Sequence, residues 1–412
     1  MTVLYYSFRT FGGDDVSKIF YPYIYHGSIA HKYYLYFQYK TPQMAEKKMF
    51  SALFSTGIRE LFPDEYENAY IRLLDQMLLY DVCSIPVEDV IYLIGTLGFQ
   101  TTMKLVQSPG IQLFDALSNR IGTFYGPLNQ LMMFNENIDE NERLISKRID
   151  KIYEPIKNKF ELKFEWKNEL IKLFKKAYFI DDTKTLFEET KLQTIEEINK
   201  FDVRNVLYMS PVVTTDNIYE EQYKANRLLH YHYYRRIASL LLCDYIYVPV
   251  ELEGLYNYYS HLNTSEKDKL GVIFEKIIKL ERLPDLPSLI KKGILTVDDI
   301  LQIRESSSSV KFRRWIDALN RNQANDVELD EYISLYHDAC MTNNKFKTAY
   351  VGKVGSAVRT IGLTIISAAN SGLGLGLTFV DYLISIGLDN YNPASFTRGH
   401  LKSFINKKTH KS

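Results

Sequence analysis

The sequence predicts a mainly α chain: a multi-helix body with a small α+β N-terminal region and a C-terminal apolar helical hairpin. Three observations point there. Apolar residues recur at helical spacing through most of the chain, as in Tyr70, Leu73, Leu74, Met77 and Leu78. Capping hydroxyls or prolines stand before several of those runs. Aromatic, β-like texture is concentrated before residue 135. A chain of 412 residues has room for two or three domains with their own cores. Its 24% charged and 46% hydrophobic content excludes disordered, collagenous and low-complexity classes.

Taken in order, Val3 to Phe8 and Lys32 to Tyr39 read as two strands. Thr41-Pro42 caps a helix over about 42 to 61, Pro63-Asp64 restarts a second, and Pro86 opens a third that ends near Gly95 to Gly98. From Ser108-Pro109-Gly110 to Phe134 the chain is turn-rich, which closes a small α+β domain over 1–135. Helices then follow over about 162 to 178 and 184 to 199. After a β-like run from Val203 to Met209, a long helix spans Asn217 to Cys243. These make a helical domain with minor strands over 136–260. The remainder, 261–412, reads as helical, with Thr296 to Asp299 as cap and first-turn acids. There Ser306 to Ser309 leads into the helix of Phe312, Trp315, Ile316 and Leu319.

Chemistry-bearing motifs are scarce. Gly352-Lys353 lacks both the following Ser/Thr and the leading glycine of a phosphate-binding loop, which has Lys347 in its place. The run Gly372, Gly374, Gly376 is no dinucleotide fingerprint, because Leu377 stands where the third glycine belongs. His230 and His232 are two apart, which on a helix points them in opposed directions. No metal site, cofactor or catalytic group is therefore assigned. Cys83, Cys243 and Cys340 are odd in number and far apart, so they form neither a disulfide framework nor a zinc pair, and a cytoplasmic setting is expected. The N-terminus lacks the pattern of a secretory signal, and the richness in Tyr, Ile, Lys and Asn fits an AT-rich bacterial genome.

Two segments stand out. On the helix from Asn217, Leu229, Tyr233, Ile237 and Leu240 form an apolar stripe. Arg227, His230, Tyr231, Tyr234 and Arg235 fall on a neighbouring face as cations interleaved with aromatic rings. That face is expected to bind a partner, a protein first and nucleic acid second. The last 71 residues hold nine Lys or Arg against two acids, a net +7 that the rest of the chain balances with −7. Within them Thr360 to Val380 is uncharged, long enough to span a bilayer but diluted by Gly, Thr, Ser and Asn. Gly355, Gly362, Ala369 and Gly376 recur every seven residues, which favours close helix approach. Gly372 and Gly374 with Gly376 make a corner between two apolar helices. This hairpin is expected to be core, an oligomer interface or a conditionally membrane-active element.

The expected function is a non-catalytic intracellular binding or effector component of a protein assembly, in a setting such as bacterial antiviral defence or toxin biology. An uncharacterised enzyme such as a nuclease is the second reading, and a conditional membrane effector the third.

Overall fold

The computed structural model describes residues 16–21, 63–87, 89–116, 123–124, 131–132, 164–180, 183–198, 217–248, 253–259, 266–267, 270–321, 336, 340, 388 and 391–410. Of these, 69% are helical and 10% lie in strands, so the chain is mainly α. It divides into two compact units. The first comprises residues 1–70 with 81–267, and the second 71–80 with 268–412.

The first unit is organised by a six-stranded parallel sheet. Its strands are β1 (Lys18–Phe20), β2 (Val82–Pro86), β3 (Ile111–Ala116), β6 (Tyr178–Ile180), β7 (Tyr245–Ile246) and β8 (Glu266–Lys267), in the order β6-β3-β2-β1-β7-β8. A separate antiparallel pair joins β4 (Thr123–Phe124) to β5 (Leu131–Met132). Every residue of β2 is buried, as parallel strands covered on both faces must be. β1 lies between β2 and β7, with Ile19 in register with Cys83 on one side and Tyr245 on the other. Two carboxylates tie its first residues. Ser17 donates its backbone N–H and its hydroxyl to Asp81, just ahead of β2. The Lys18 N–H donates at 3.0 Å to Asp244, just ahead of β7, while Lys18 Nζ reaches the Leu241 carbonyl at 2.6 Å.

Helices supply the connections: the first part of α1 (Pro63–Leu79), then α2 (Asp89–Leu97), α3 (Phe99–Val106), α4 (Phe164–Lys175), α5 (Thr183–Ile198), α6 (Asn217–Leu240) and α7 (Glu253–Tyr258). α6 ends in a left-handed turn at Leu242, whose φ is 53°. There the Cys243 N–H bonds back to the Ala238 carbonyl and the Leu242 N–H to Ser239.

The second unit takes the end of α1 from Ile71, then α8 (Leu270–Leu280), α9 (Leu286–Lys291), α10 (Val297–Glu305) and α11 (Ser307–Arg321). A π-helical segment, Ser395–Leu401, runs into α12 (Lys402–Thr409). α10 starts with the capping box expected at Thr296, whose hydroxyl accepts from the Asp299 N–H while the Asp299 carboxylate accepts from the Thr296 N–H. The Ser306 hydroxyl accepts from the Ser309 N–H and starts α11. Phe274, Phe312, Trp315, Tyr336 and Phe396 form the aromatic centre of the core, with Phe312 and Phe396 rings 4.7 Å apart.

Several sequence expectations change. Pro86 ends a strand rather than opening a helix, which begins at Asp89. Part of the stretch read as turns, Ile111–Ala116, is a strand. The sheet also continues past residue 135: β3 pairs with β6 and β1 with β7, so 1–135 and 136–260 share one hydrogen-bonded sheet. Strands of two or three residues are too short to carry a period-two pattern. The expected strands at 3–8, 32–39 and 203–209, the helix over 42–61, and the hairpin residues Gly355, Gly362, Ala369, Gly372, Gly374 and Gly376 lie outside the described residues.

Candidate functional site

In a parallel sheet, ligands gather at the carboxyl edge where strand order reverses, here between β1 and β7. The residues directly following those strands are Tyr21 and Tyr247, whose rings meet at 4.7 Å. The chain after β1 continues Tyr21-Pro22-Tyr23 and reaches no glycine before Gly27, so its sequence lacks the glycine pattern of a dinucleotide site.

The two tyrosines of the aromatic and basic face of α6 are internal. Tyr231 and Tyr234 are 3% and 4% exposed, so neither ring is presented to a partner. Tyr234 packs against Phe20 of β1 at 5.8 Å, and Tyr231 stacks on Tyr259 at 5.4 Å. Arg235 is half-buried, and the side chains of Arg227 and His230 are outside what the structure describes.

The neighbouring His232, which spacing alone had set aside, is the polar centre of this region. Its ring is fully buried, and Nε2 lies 2.9 Å from Glu197 on α5. A carboxylate can only accept, so Nε2 carries the proton and donates. Glu197 also accepts from the Tyr259 hydroxyl at 2.5 Å and from the Gln193 amide at 2.9 Å. Burial raises the affinity of the Glu197 carboxyl for a proton, but these three donors outweigh it and hold the group down at about 2. Burial pulls His232 below its usual value, and Glu197 offsets only part of that. Burial, reinforced by the bond to Glu197, lifts the Tyr259 phenol well above its usual value. An ionised carboxylate therefore orients a neutral imidazole. Nδ1 is left without a hydrogen-bond partner among the described residues. The orientation suits a general base, yet a ring with no exposure reaches no substrate in this conformation.

The second unit carries an open, cationic site. Arg398, Lys402, Ser403, Asn406, Lys407 and His410 line a cleft of about 540 Å³ along α12 and the preceding π-helix. Arg398, Lys402, Asn406 and His410 are four residues apart, so they share one helical face. The foot of the cleft is a closed network. Glu281 is 4% exposed and accepts both Arg398 Nε, at 2.5 Å, and Nη2, at 2.9 Å. It also accepts from the Tyr336 hydroxyl at 2.9 Å, which in turn takes the Thr397 hydroxyl proton at 2.6 Å. Burial disfavours charge on Glu281, but Arg398 and Tyr336 reverse the balance and hold its carboxyl below the usual range. Next to the cleft, Lys408 pairs with Asp299 at 2.6 Å and lies over the Phe404 ring.

That leaves Lys402 and Lys407 with no acid in ion-pair distance among the described residues, and the sequence from Asn390 to Ser412 contains five Lys or Arg and no Asp or Glu. Sequence reasoning had noted the C-terminal charge excess but placed the partner site on α6. The signal was there in the four-residue spacing of Arg398, Lys402 and Asn406, next to a stretch without acids. The π-helical turn that carries Arg398 is itself a form that recurs at functional sites.

No protein-family model matches the chain, and neither a curated protein nor a solved structure matches it. Among the described residues there is no group of three metal-capable side chains and no helix long and apolar enough to cross a membrane.

Proposed function

We propose that this protein is a non-catalytic binding component of an assembly in the cytoplasm, and that it engages an anionic partner through the α12 cleft. The observation that carries the reading is an open cleft whose lysines have no acid within ion-pair distance among the described residues, built on a stretch of chain without a single acid. The whole chain has no net charge, so the attraction is local rather than a general field. Arg398 is already committed to Glu281, which anchors the helix under the cleft and leaves Lys402 and Lys407 to meet the partner. Lys407 is exposed and Lys402 half-buried, and neither belongs to the aromatic core, so their replacement is expected to leave that core intact.

Retention of the full chain on immobilised heparin, a generic polyanion, tests the reading. The Lys402→Glu/Lys407→Glu variant is expected to elute at clearly lower salt than the wild type while its thermal midpoint stays within a few degrees. Equal elution of the two would remove the cleft as the binding surface. A second reading, as an enzyme, draws on the carboxylate-oriented imidazole of His232. It requires a conformation in which Nδ1 becomes accessible, and hydrogen exchange of α6 and α7 in the native protein is the measurement that detects such an opening.

A further inference from the structure

We infer that the anionic partner of the α12 cleft is the phosphodiester backbone of a nucleic-acid duplex, contacted without regard to base sequence. The inference rests on the proposed reading of the cleft as an anion-binding surface and concerns which anion it takes. Four features select phosphate on a polymer.

The cleft cations that make no ion pair among the described residues are lysines, and Lys402 acts on Glu281 only at longer range. A lysine ammonium is a compact, hydrated point charge that meets phosphate oxygens from many directions, whereas the planar fork that suits a carboxylate belongs to arginine. The one arginine in the cleft has that fork occupied by Glu281. An acidic peptide would thus find its best ligand already taken.

The cleft is also elongated in the right sense. Arg398 to His410 spans three successive four-residue steps, about 18 Å at the ~1.5 Å rise of a helix, so the donors form a row rather than a nest around one small anion. Ser403 and Asn406 add uncharged donors between the lysines, the combination found where proteins grip sugar-phosphate backbones.

What the lining lacks sets the form of nucleic acid. Among the described residues no Phe, Tyr or Trp lines the cleft, His410 supplies its one small ring, and the nearby Phe404 is half-buried beneath Lys408. Single strands are bound largely by stacking bases on exposed rings, so this surface is matched to a duplex, whose bases are already stacked. With two lysines, a serine, an asparagine and a histidine beside an arginine already held by Glu281, phosphate contact dominates and base reading is minor.

The test is fluorescence anisotropy of the full chain with a labelled 30-base-pair duplex, in two unrelated sequences, at several salt concentrations. The two sequences should bind alike. Two to three neutralised phosphates give a slope of log affinity against log salt of about −2 to −3, or roughly 30-fold weaker binding at 200 mM than at 50 mM salt. Lys402→Gln/Lys407→Gln should flatten that slope by about 2, whereas the charge-matched surface variant Lys172→Gln/Lys175→Gln on α4 should leave it unchanged. Poly-glutamate of matched charge should compete poorly. Equal competition by poly-glutamate, with heparin retention still dependent on Lys402 and Lys407, would overturn the duplex assignment and keep the anion-binding function. Loss of heparin retention, duplex binding and poly-glutamate binding together would overturn both. A slope that responds equally to the α4 variant would also refute the inference.

Discussion

Each unit contains a buried glutamate clasped by a tyrosine hydroxyl, and the two clasps differ in the third partner. In the first unit Glu197 meets Tyr259 and the neutral ring of His232, which is sealed from solvent. In the second Glu281 meets Tyr336 and the guanidinium of Arg398, whose side chain is 45% exposed. The carboxylates are stabilised by the same kind of donor, yet one cluster is dry and holds a titratable base while the other opens to water and holds a permanent cation. A buried clasp with histidine makes the fold sensitive to acid. An edge clasp with arginine fixes a helix whose outer face is exposed.

Removing the carboxylate is the strongest way to probe that contrast. Glu197→Ala strands the His232 N–H, the Tyr259 hydroxyl and the Gln193 amide, two of them deep in the fold, and should cost about 3–5 kcal/mol. Glu281→Ala strands only the Tyr336 hydroxyl and frees an arginine that can hydrate, and should cost less, about 2–3 kcal/mol. The two tryptophans allow the comparison in one protein, because Trp166 lies in the first unit and Trp315 in the second. Urea unfolding followed with one tryptophan replaced by Phe at a time reports each unit. The reverse order of costs would break the contrast.

Acidity separates the clusters next. An unfolded His232 takes its proton near 6.5, whereas the folded ring, with its affinity lowered by burial, stays neutral to lower pH. The unfolded state therefore binds more protons as pH falls through 6.5, and the stability of wild type relative to His232→Gln should decline over that window. The matched comparison with Arg398→Gln should be level there, because the guanidinium does not titrate and Glu281 begins to matter only below its unfolded value of 4.5. Asp75, in the second unit, runs the other way. Burial pushes its carboxyl up to about 7, so the folded state keeps a proton that the unfolded state has released above 3.8. Stability relative to Asp75→Asn should fall as pH rises from about 4 to about 7. Urea midpoints at half-unit pH steps check both signs.

The smallest expected effect concerns two helix ends built alike. Leu242 after α6 and Arg282 after α8 both adopt left-handed backbone, with φ of 53° and 51°. Leu242 is 83% exposed, so Leu242→Gly gives up little burial. Gains of up to about 1 kcal/mol are expected for Leu242→Gly and for Arg282→Gly, read as a higher thermal midpoint. A loss at either position would show that its side chain contributes more than its backbone costs.

What the sequence made legible was local. The Thr296 to Asp299 cap, the Ser306 start of α11 and the core position of Trp315 depend on residues within a few places of one another, and each is where its pattern puts it. The sheet was not legible, because β6, β7 and β8 have only three, two and two residues and their pairing partners are far along the chain. The clasp at Glu197 was hidden for the same reason: 35 residues separate it from His232 and 62 from Tyr259, and only the packing of α5 against α6 brings them together. The cleft was half visible. Its charge excess could be counted, but which of its cations is held in an ion pair depends on Glu281, which lies 117 residues upstream of Arg398.

The segment Ile71–Tyr80 has a consequence for how the molecule comes into being. It belongs to the second unit although the chain on both sides of it belongs to the first. Leu73, Leu74, Met77, Leu78, Leu79 and Tyr80 are wholly buried in the finished protein, and the Met77 and Tyr80 carbonyls accept the guanidinium of Arg304, which follows Met77 by 227 residues. On a ribosome this greasy decapeptide emerges early and must wait for most of the polypeptide before its lid arrives. A newly made chain thus carries this apolar stretch without its partners until residues 268 onward have been added. The later half, made by itself, would bury Arg304 without the Met77 and Tyr80 carbonyls that accept from it.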